Sequence, residues 1–329
     1  MPRPLFPKSI FEFQRQFSTE EDCLRFLIQS RWPDGFSCPK CGHGQFYWKS
    51  ARKLLQCKKC GYQASVTSGT VMHRSKMPLT MWFHAAYLAS TVTPGISAVQ
   101  LQRQLGLSSY QTAFTMLHKL RAGMVREGRS ELSGVVQVDE TYVGGSKAGI
   151  RGRGALGKII VAGAVEVKNN NMVRVRLKVI PNVSGQTLTG FVKQNVSEGS
   201  TVITDDWKGY IGLGREGYIH RVDNAGLAHI HRVFSNLKTW ILGTHHGAIG
   251  KQHLQAYLNE YTFRFNRRKT PMAAFQTALG LGSQRLGPTY KGLYGVAKGT
   301  GKWTHPNPNP SRSLLDDILD CLTKGEGKG

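Results

Sequence analysis

The chain has 329 residues, 44 of them Lys or Arg against 20 Asp or Glu, and a net charge of +24 at neutral pH. Its 40% hydrophobic residues suffice for a packed core, and the length suits two or three domains. So large a cationic excess favours a polyanionic partner, since each neutralised phosphate releases counterions; a membrane role is excluded by the lack of an 18-residue apolar run, a basic amphipathic helix or a lipidation signal.

Residues 1–36 read as a helical lead-in. The stretch MPRPLFPKSIFEFQRQ has no apolar h-region and does not read as a secretory signal. Thr19 followed by EEDCLRFLIQSRW predicts one helix, with acids in its first turn and Phe26, Leu27 and Trp32 facing inward, ended by Pro33-Asp34-Gly35.

Residues 37–66 hold four of the six cysteines among short strand-like pieces. Cys38-Pro-Lys-Cys41-Gly and Cys57-Lys-Lys-Cys60-Gly are two CxxCG knuckles with 15 residues between the pairs. Each puts two thiolates on a tight turn whose glycine takes positive φ, and together they complete a closed tetrahedral site for a structural Zn²⁺. A redox pair is the weaker reading, since neither CxxC lies in a βαβ context, and Cys23 and Cys321 stand alone, as in a reducing compartment. Trp48, Lys49, Arg52, Lys53, Lys58 and Lys59 make the ribbon basic and partly aromatic, fit for DNA or simply for packing on neighbours.

Residues 76–126 read as a helical DNA-binding segment. A helix from Leu79 to Ala89 is broken by Thr93-Pro94-Gly95, then SAVQLQRQLG and SSYQTAFTMLHKLRAGM form a helix-turn-helix-like pair about Gly106. Ser97 and Ser108 or Ser109 are the caps, and Leu101, Leu105, Ala113, Met116, Leu117 and Leu120 the inward positions. Tyr110, Gln111, Thr115, His118 and Lys119 would then reach bases or phosphates, unless the pair is a plain helical hairpin.

From Leu132 the pattern turns to alternation and apolar runs. VVQVDETYVGG, KIIVAGAVEV, VRVRLKVI and STVITDDW predict strands, SGQTLTGFVKQNV a helix between the last two, and HIHRVFSNLKTWILG and KQHLQAYLNEYTFRFNRR closing helices. Residues 144–158 form a Gly- and Arg-rich loop, and 273–329 a basic tail with a short helix from Ser313 to Leu322.

Asp139 and Asp205 each sit in or at the end of an apolar strand, where an unpaired carboxylate is costly. Two Mg²⁺ ions shared between them would offset that cost and activate water or a DNA 3′-OH; the bland alternative is a turn or cap role for each. Glu140 and Asp206 should face the other way by alternation. For a third ligand, His231 shares one helix face with Lys238, seven residues on, which would meet a phosphate. Asn236 lies about 140° round from His231 and is its rival. Glu216 in a Gly-rich loop and Glu260, paired with Arg264 at i+4, are acidic alternatives. His220, His229, His245, His246 and His253 match no ligand spacing and suit phosphate contacts or helix-end hydrogen bonds.

The CxxCG pair, VDETYVGG, TDDWKGY, HRVFSNLKTWILGTHHG and HLQAYLNEYTFRFNRR, in that order over residues 20 to 270, resemble bacterial insertion-sequence transposases with a zinc-ribbon head and an ISXO2-like, ribonuclease-H-like catalytic domain. The resemblance implies an α+β fold at 132–272 and DDE-type chemistry: metal-dependent hydrolysis at element ends, then strand transfer by the freed 3′-OH, using Mg²⁺ or Mn²⁺. By motif position Asp139 is similar to the family's first acid and Asp205 to its second. Counting back seven from Lys238, where the family often has Glu, this chain has His231. The resemblance also implies double-stranded DNA as partner, a homodimer or larger assembly on it, and a bacterial cytoplasmic, nucleoid-associated location. A metal-dependent nuclease and a decayed DNA-binding protein are the rival functions.

Overall fold

The computed structural model describes residues 7–49, 52–125, 128–144, 158–246 and 249–280, with Pro288 and Leu293 besides. The glycine- and arginine-rich loop over 145–157, the NPNP tail, the helix expected from Ser313 to Leu322 and Cys321 lie outside the described residues. The described residues fall into two compact units: those within Met1–Ser90, Ala98–Met124 and Phe275–Gly329, and those within Thr91–Ser97 and Val125–Ala274.

The first unit begins with two helices where one was expected. α1 (Ile10–Gln16) starts at Ser9, whose hydroxyl accepts from the Glu12 N–H at 3.2 Å, and buries Phe13. α2 (Glu20–Arg31) starts at Thr19 with a full capping box: Thr19 Oγ1 accepts from Asp22 N–H, and Asp22 Oδ2 accepts from Thr19 N–H. Cys23, Leu24 and Leu27 form its buried face, while Phe26 and Trp32 are only half-buried. Phe13 stacks on Tyr87 at 4.3 Å and meets Phe17, which packs on Phe83 and Phe275, so an aromatic cluster is the centre of this unit.

The ribbon is a three-stranded antiparallel sheet in the order β1 (Phe46–Lys49), β2 (Leu54–Cys57), β3 (Gln63–Ser65). Leu55 and Ala64 are buried on it. α3 (Leu79–Thr91), α4 (Ala98–Gln104) and α5 (Tyr110–Gly123) follow, with Gly106 at φ 61° making the turn between α4 and α5. Leu101, Ala113, Met116, Leu117 and Leu120 are buried as the helical period predicts; Leu105 is half-buried and Leu107 takes the core position.

The second unit is a five-stranded sheet in the order β6-β5-β4-β7-β8. β4 (Val135–Val143), β5 (Ile159–Lys168) and β6 (Asn171–Ile180) form an antiparallel meander. The chain then crosses through α6 (Gly185–Lys193) to β7 (Thr201–Thr204), parallel to β4. After a 3₁₀ helix (Lys208–Glu216) comes β8 (Ile219–Val222), parallel to β7. β8 was not anticipated: it is four residues long, with Ile219, Arg221 and Val222 exposed, so it carries no alternating signal. This mixed sheet is the strand order of a ribonuclease-H-like domain.

Alternation splits β4 between two cores. Val136 and Val138 join Leu188, Phe191, Val202 and Tyr210 on the α6 side. Val143 joins Val161, Val165 and the apolar stripes of α7 (Ala228–His245) and α8 (Lys251–Asn266) on the other. α7 lies over β4 and β5, and α8 over β6. α9 (Pro271–Ala278) closes the described helices.

Candidate active site and metal centre

The four ribbon cysteines converge. Each knuckle closes with a hydrogen bond back to its first cysteine, Gly42 N–H to Cys38 O at 2.8 Å and Gly61 N–H to Cys57 O at 3.1 Å, and the two glycines take φ of 70° and 71°. All four sulfurs lie within 4.8 Å of one another, with Cys38–Cys60 and Cys41–Cys57 at 3.6 Å. A tetrahedron of thiolates at the usual Zn–S length has edges of about 3.8 Å, so the donor set fits Zn²⁺. Against burial, the N–H groups of Cys60 and Lys59 bring the Cys57 thiol down to about 7, a thiolate ready near neutrality. The His43 N–H favours the Cys41 thiolate, but burial and the other three sulfurs push Cys41 up to about 12. Cys23 is pushed up to about 12 by burial and is an inert core thiol.

In the second unit, Asp139 is the fifth residue of β4 and Asp205 directly follows β7. Val135, Val136 and Gln137 pair with Thr201, Val202 and Ile203; continuing this offset puts Asp205, just past the end of β7, beside Asp139 in the middle of β4. Asp139 is mostly buried and accepts from the Glu140 N–H at 2.7 Å through Oδ1, while Oδ2 is 3.1 Å from His231 Nε2. Asp205 Oδ1 accepts from the Trp207 N–H at 3.1 Å, which fixes the turn after β7. Behind it, the wholly buried Thr204 hydroxyl donates to Asp205 O and meets His220 Nε2 at 2.8 Å. Burial raises the Asp139 carboxyl above the ordinary range and Asp205 adds to the rise, against the opposing Glu140 N–H and His231. Two carboxylates held close where ionisation is costly are a donor set that fits hard divalent cations.

His231 reaches Asp139 because of the way α7 packs. Its buried stripe is Ile230, Val233, Phe234, Leu237, Trp240, Ile241 and Thr244. At about 100° per residue, His231 and Lys238 flank one edge of this stripe and Asn236 the other. The structure therefore brings His231 to Asp139 and leaves Asn236 on the opposite edge of the helix. Lys238 is exposed about two turns along from His231. Glu216 is bound instead to Lys193 at 2.6 Å, and Glu260 is buried in α8 within the electrostatic reach of Arg264. Glu140 faces the other side of the sheet, as alternation predicts, and accepts from the Tyr210 hydroxyl at 2.9 Å. Burial and Glu140 keep that phenol protonated.

Two neighbours were missed in the sequence. Gly163 is the β5 partner of Asp139, and a Cβ there would lie 2.6 Å from Phe234 Cε1. Its missing side chain lets α7 come down onto the sheet beside the acid. Gln137, two residues before Asp139 on the same face, accepts from the first-turn N–H groups of α7. Neither residue type signals such a role alone.

The helical pair differs from expectation. His118 is buried with its ring 4.3 Å from Phe114, and Thr115 Oγ1 is buried. Lys119 donates to His73 O at 3.0 Å, and burial lowers its pKa. These three are taken into the first unit, because α5 is packed on more than its apolar stripe; Arg121 is buried too. Tyr110 and Gln111 stay exposed. Ser109 occupies the cap position, but its hydroxyl donates to Gln111 Oε1 and does not accept from a backbone N–H of the first turn. On the ribbon, all four residues of β1 are exposed, and the Tyr47 ring has Lys58 and Lys49 ammonium groups at 5.2 and 5.9 Å.

Residues 18–63 match the transposase zinc-ribbon domain and residues 131–266 the ISXO2-like transposase domain. Over 143 residues the chain is 32% identical to an uncharacterized protein in transposable element ISH50 of Halobacterium salinarum, covering 42% of this chain and 46% of that protein. The chain thus spans about half the length of this curated relative. A chain of a simian T-cell lymphotropic virus intasome, solved with PP2A regulatory subunit B56 gamma, aligns at 13% identity over 49% of this chain and 63% of that one, with a TM-score of 0.26, too low to carry an argument. The four-cysteine cluster and the ribbon match together support a structural zinc, and the chain carries, one behind the other, a zinc-ribbon domain and an ISXO2-like domain similar to those of insertion-sequence transposases.

Proposed function

We propose that this chain cuts DNA at the ends of an insertion sequence and joins the freed 3′ ends to target DNA, using Asp139, Asp205 and His231 to hold two divalent cations. The observation that carries the proposal is His231 Nε2 set 3.1 Å from Asp139 Oδ2, on a strand whose parallel register with β7 leads on to Asp205 just past that strand's end. When bound, the cations lower the pKa of the attacking water or 3′-OH and neutralise the leaving oxygen. The protein's own part is positioning. Asp139 offers its oxygens from the middle of β4 and Asp205 from the end of β7, Glu140 N–H and Trp207 N–H hold those carboxylates still, and exposed Lys238 meets a phosphate two turns along α7. No covalent protein intermediate is required.

DNA is drawn to the first unit by its run of unmixed basic charge. Between Asp34 and Glu127 the chain has no carboxylate side chain. With His118, Thr115 and Lys119 withdrawn from α5, the β1 strand, with exposed Tyr47 and Trp48 beside Lys49 and Lys58, is the better nucleic-acid contact there.

The test is a strand-transfer assay with labelled element ends, a target plasmid and Mg²⁺ or Mn²⁺, run on wild type, Asp139→Ala, His231→Ala and Asn236→Ala. Joined product made by wild type and Asn236→Ala and lost in Asp139→Ala and His231→Ala is the expected result. Cleavage without joining in wild type would make the chain a nuclease, and binding with neither reaction would overturn the enzymatic reading.

A further inference from the structure

α7 begins without a cap of its own. The residue at its N-cap position is Leu227, which has no side-chain acceptor, and the N–H groups of the first turn lack intrahelical partners. The acceptor comes from 90 residues upstream. Gln137 Oε1 takes the N–H groups of both His229 and Ile230, each at 3.0 Å. These are the second and third helical residues, the same donors that a Ser or Asp cap would satisfy. Gln137 itself is 5% exposed and stands in the middle of a strand, where a buried amide is costly unless it is hydrogen-bonded.

Its place in the strand matters. Gln137 and Asp139 point to the same face of β4, one pleat apart, and Ile230 and His231 are adjacent on α7. The amide that seizes the helix start is thus one pleat from the carboxylate that His231 meets. The fork of two hydrogen bonds on one oxygen fixes both the height of the first turn over the sheet and its rotation. A rotation of the helix by one residue would carry His231 about 100° away from Asp139. Phe234, seated against Gly163, secures the same helix one turn further on.

We infer that Gln137 is a positioning residue for the active site: a side-chain cap supplied in trans from β4 that sets the register of α7 and so aims His231 at Asp139. The catalytic consequence rests on the reading of His231 as a metal-site residue, whereas the positioning does not.

Two substitutions separate the carbonyl from the volume. Gln137→Met keeps the length and removes the acceptor, while Gln137→Glu keeps an acceptor and suits a helix N-terminus. Full-length protein labelled with ¹⁵N-histidine, at fixed pH and without metal, reports the Nε2 resonance of His231. Asp139→Asn and Gln137→Met should move that resonance alike, and Gln137→Glu should leave it near the wild-type position. In the same samples, hydrogen exchange of the His229 and Ile230 amides should speed up about fivefold to tenfold in Gln137→Met only. Mn²⁺-dependent cleavage of an element end should fall about tenfold to a hundredfold in Gln137→Met with melting otherwise cooperative, and adding His231→Ala should cost nothing more. An unmoved His231 resonance in Gln137→Met overturns the inference, as does a loss equal in the Glu and Met variants. If the resonance moves as expected but His231→Ala cleaves normally, the positioning stands and the metal-site reading of His231 fails instead.

Discussion

The two units carry the four-cysteine cluster and the proposed catalytic site, which are built on opposite plans. In the ribbon, four like donors from two glycine-closed turns surround one point, all within 4.8 Å, and leave no open position. On the sheet, unlike donors come from a strand interior, a strand end and a helix start, and one of them, His231, is more than half exposed. Among the described residues only the cysteines close into a set of three or more ligands so tightly. A closed shell of soft thiolates can only hold structure together, whereas carboxylates at the edge of solvent leave room for water and a phosphodiester. The difference in donor chemistry also divides the charge: the ribbon and its helices lie in the carboxylate-free stretch, and the acids that matter are all on the sheet.

Removing the ribbon's metal should have the largest effect. A small three-stranded sheet with Leu55 and Ala64 as its interior has little core of its own, so a zinc chelator or Cys57→Ser should unfold it, a loss on the order of 10 kcal/mol of binding-coupled folding. Hydrogen exchange should show protection lost over β1–β3 while β4–β6 stay protected; loss in both units together would break the contrast between them.

Next comes the seat of α7. Gly163→Val puts a branched side chain where even a Cβ lies 2.6 Å from Phe234 Cε1. Overpacking of this kind costs about 1–3 kcal/mol, and the lifted helix should reduce strand transfer by roughly a hundredfold. A denaturant melt beside the joining assay separates the two effects.

The third donor should set the choice of ion. Imidazole suits Mn²⁺ better than Mg²⁺, so wild type is expected to be several-fold faster in Mn²⁺, and His231→Glu should narrow or reverse that ratio. A ratio unchanged by His231→Glu would remove His231 from the metal site.

The smallest effect is on stability. Asp139 has its carboxyl raised in the folded state, so the folded protein holds the proton more tightly and loses stability as pH climbs from the ordinary carboxylate value to the raised one. Asp139→Asn should therefore raise the melting temperature of metal-free protein at pH 7, by roughly 2–4 °C for each 1 kcal/mol relieved, and give no gain below the ordinary value. A divalent cation should erase the difference by stabilising wild type alone.

What could be read directly from the residues was whatever is local. The knuckles need only a glycine four residues after the first cysteine, the α2 start needs Thr19 and Asp22 three apart, and Asp139 and Asp205 announce themselves as acids among β-branched neighbours. The helix α1 escaped because its buried face amounts to little more than Phe13, which pays off only against Tyr87 and its neighbours some seventy residues away. His118, Thr115 and Lys119 looked like surface groups because a single helix has an outside; once α5 is packed on several sides it has much less.

The same division holds in the active site. Sequence alone set apart two acids in apolar strand contexts and a helix with His231 and Lys238 on one face, since strand alternation and the helical period are properties of the backbone. Which edge of α7 meets Asp139 was decided by tertiary structure, through Gln137 on β4 and Gly163 on β5. Those residues act across gaps of 93 and 71 positions, on Ile230 and Phe234, where a hydrogen-bond acceptor and a missing side chain acquire meaning only from what the fold lays against them.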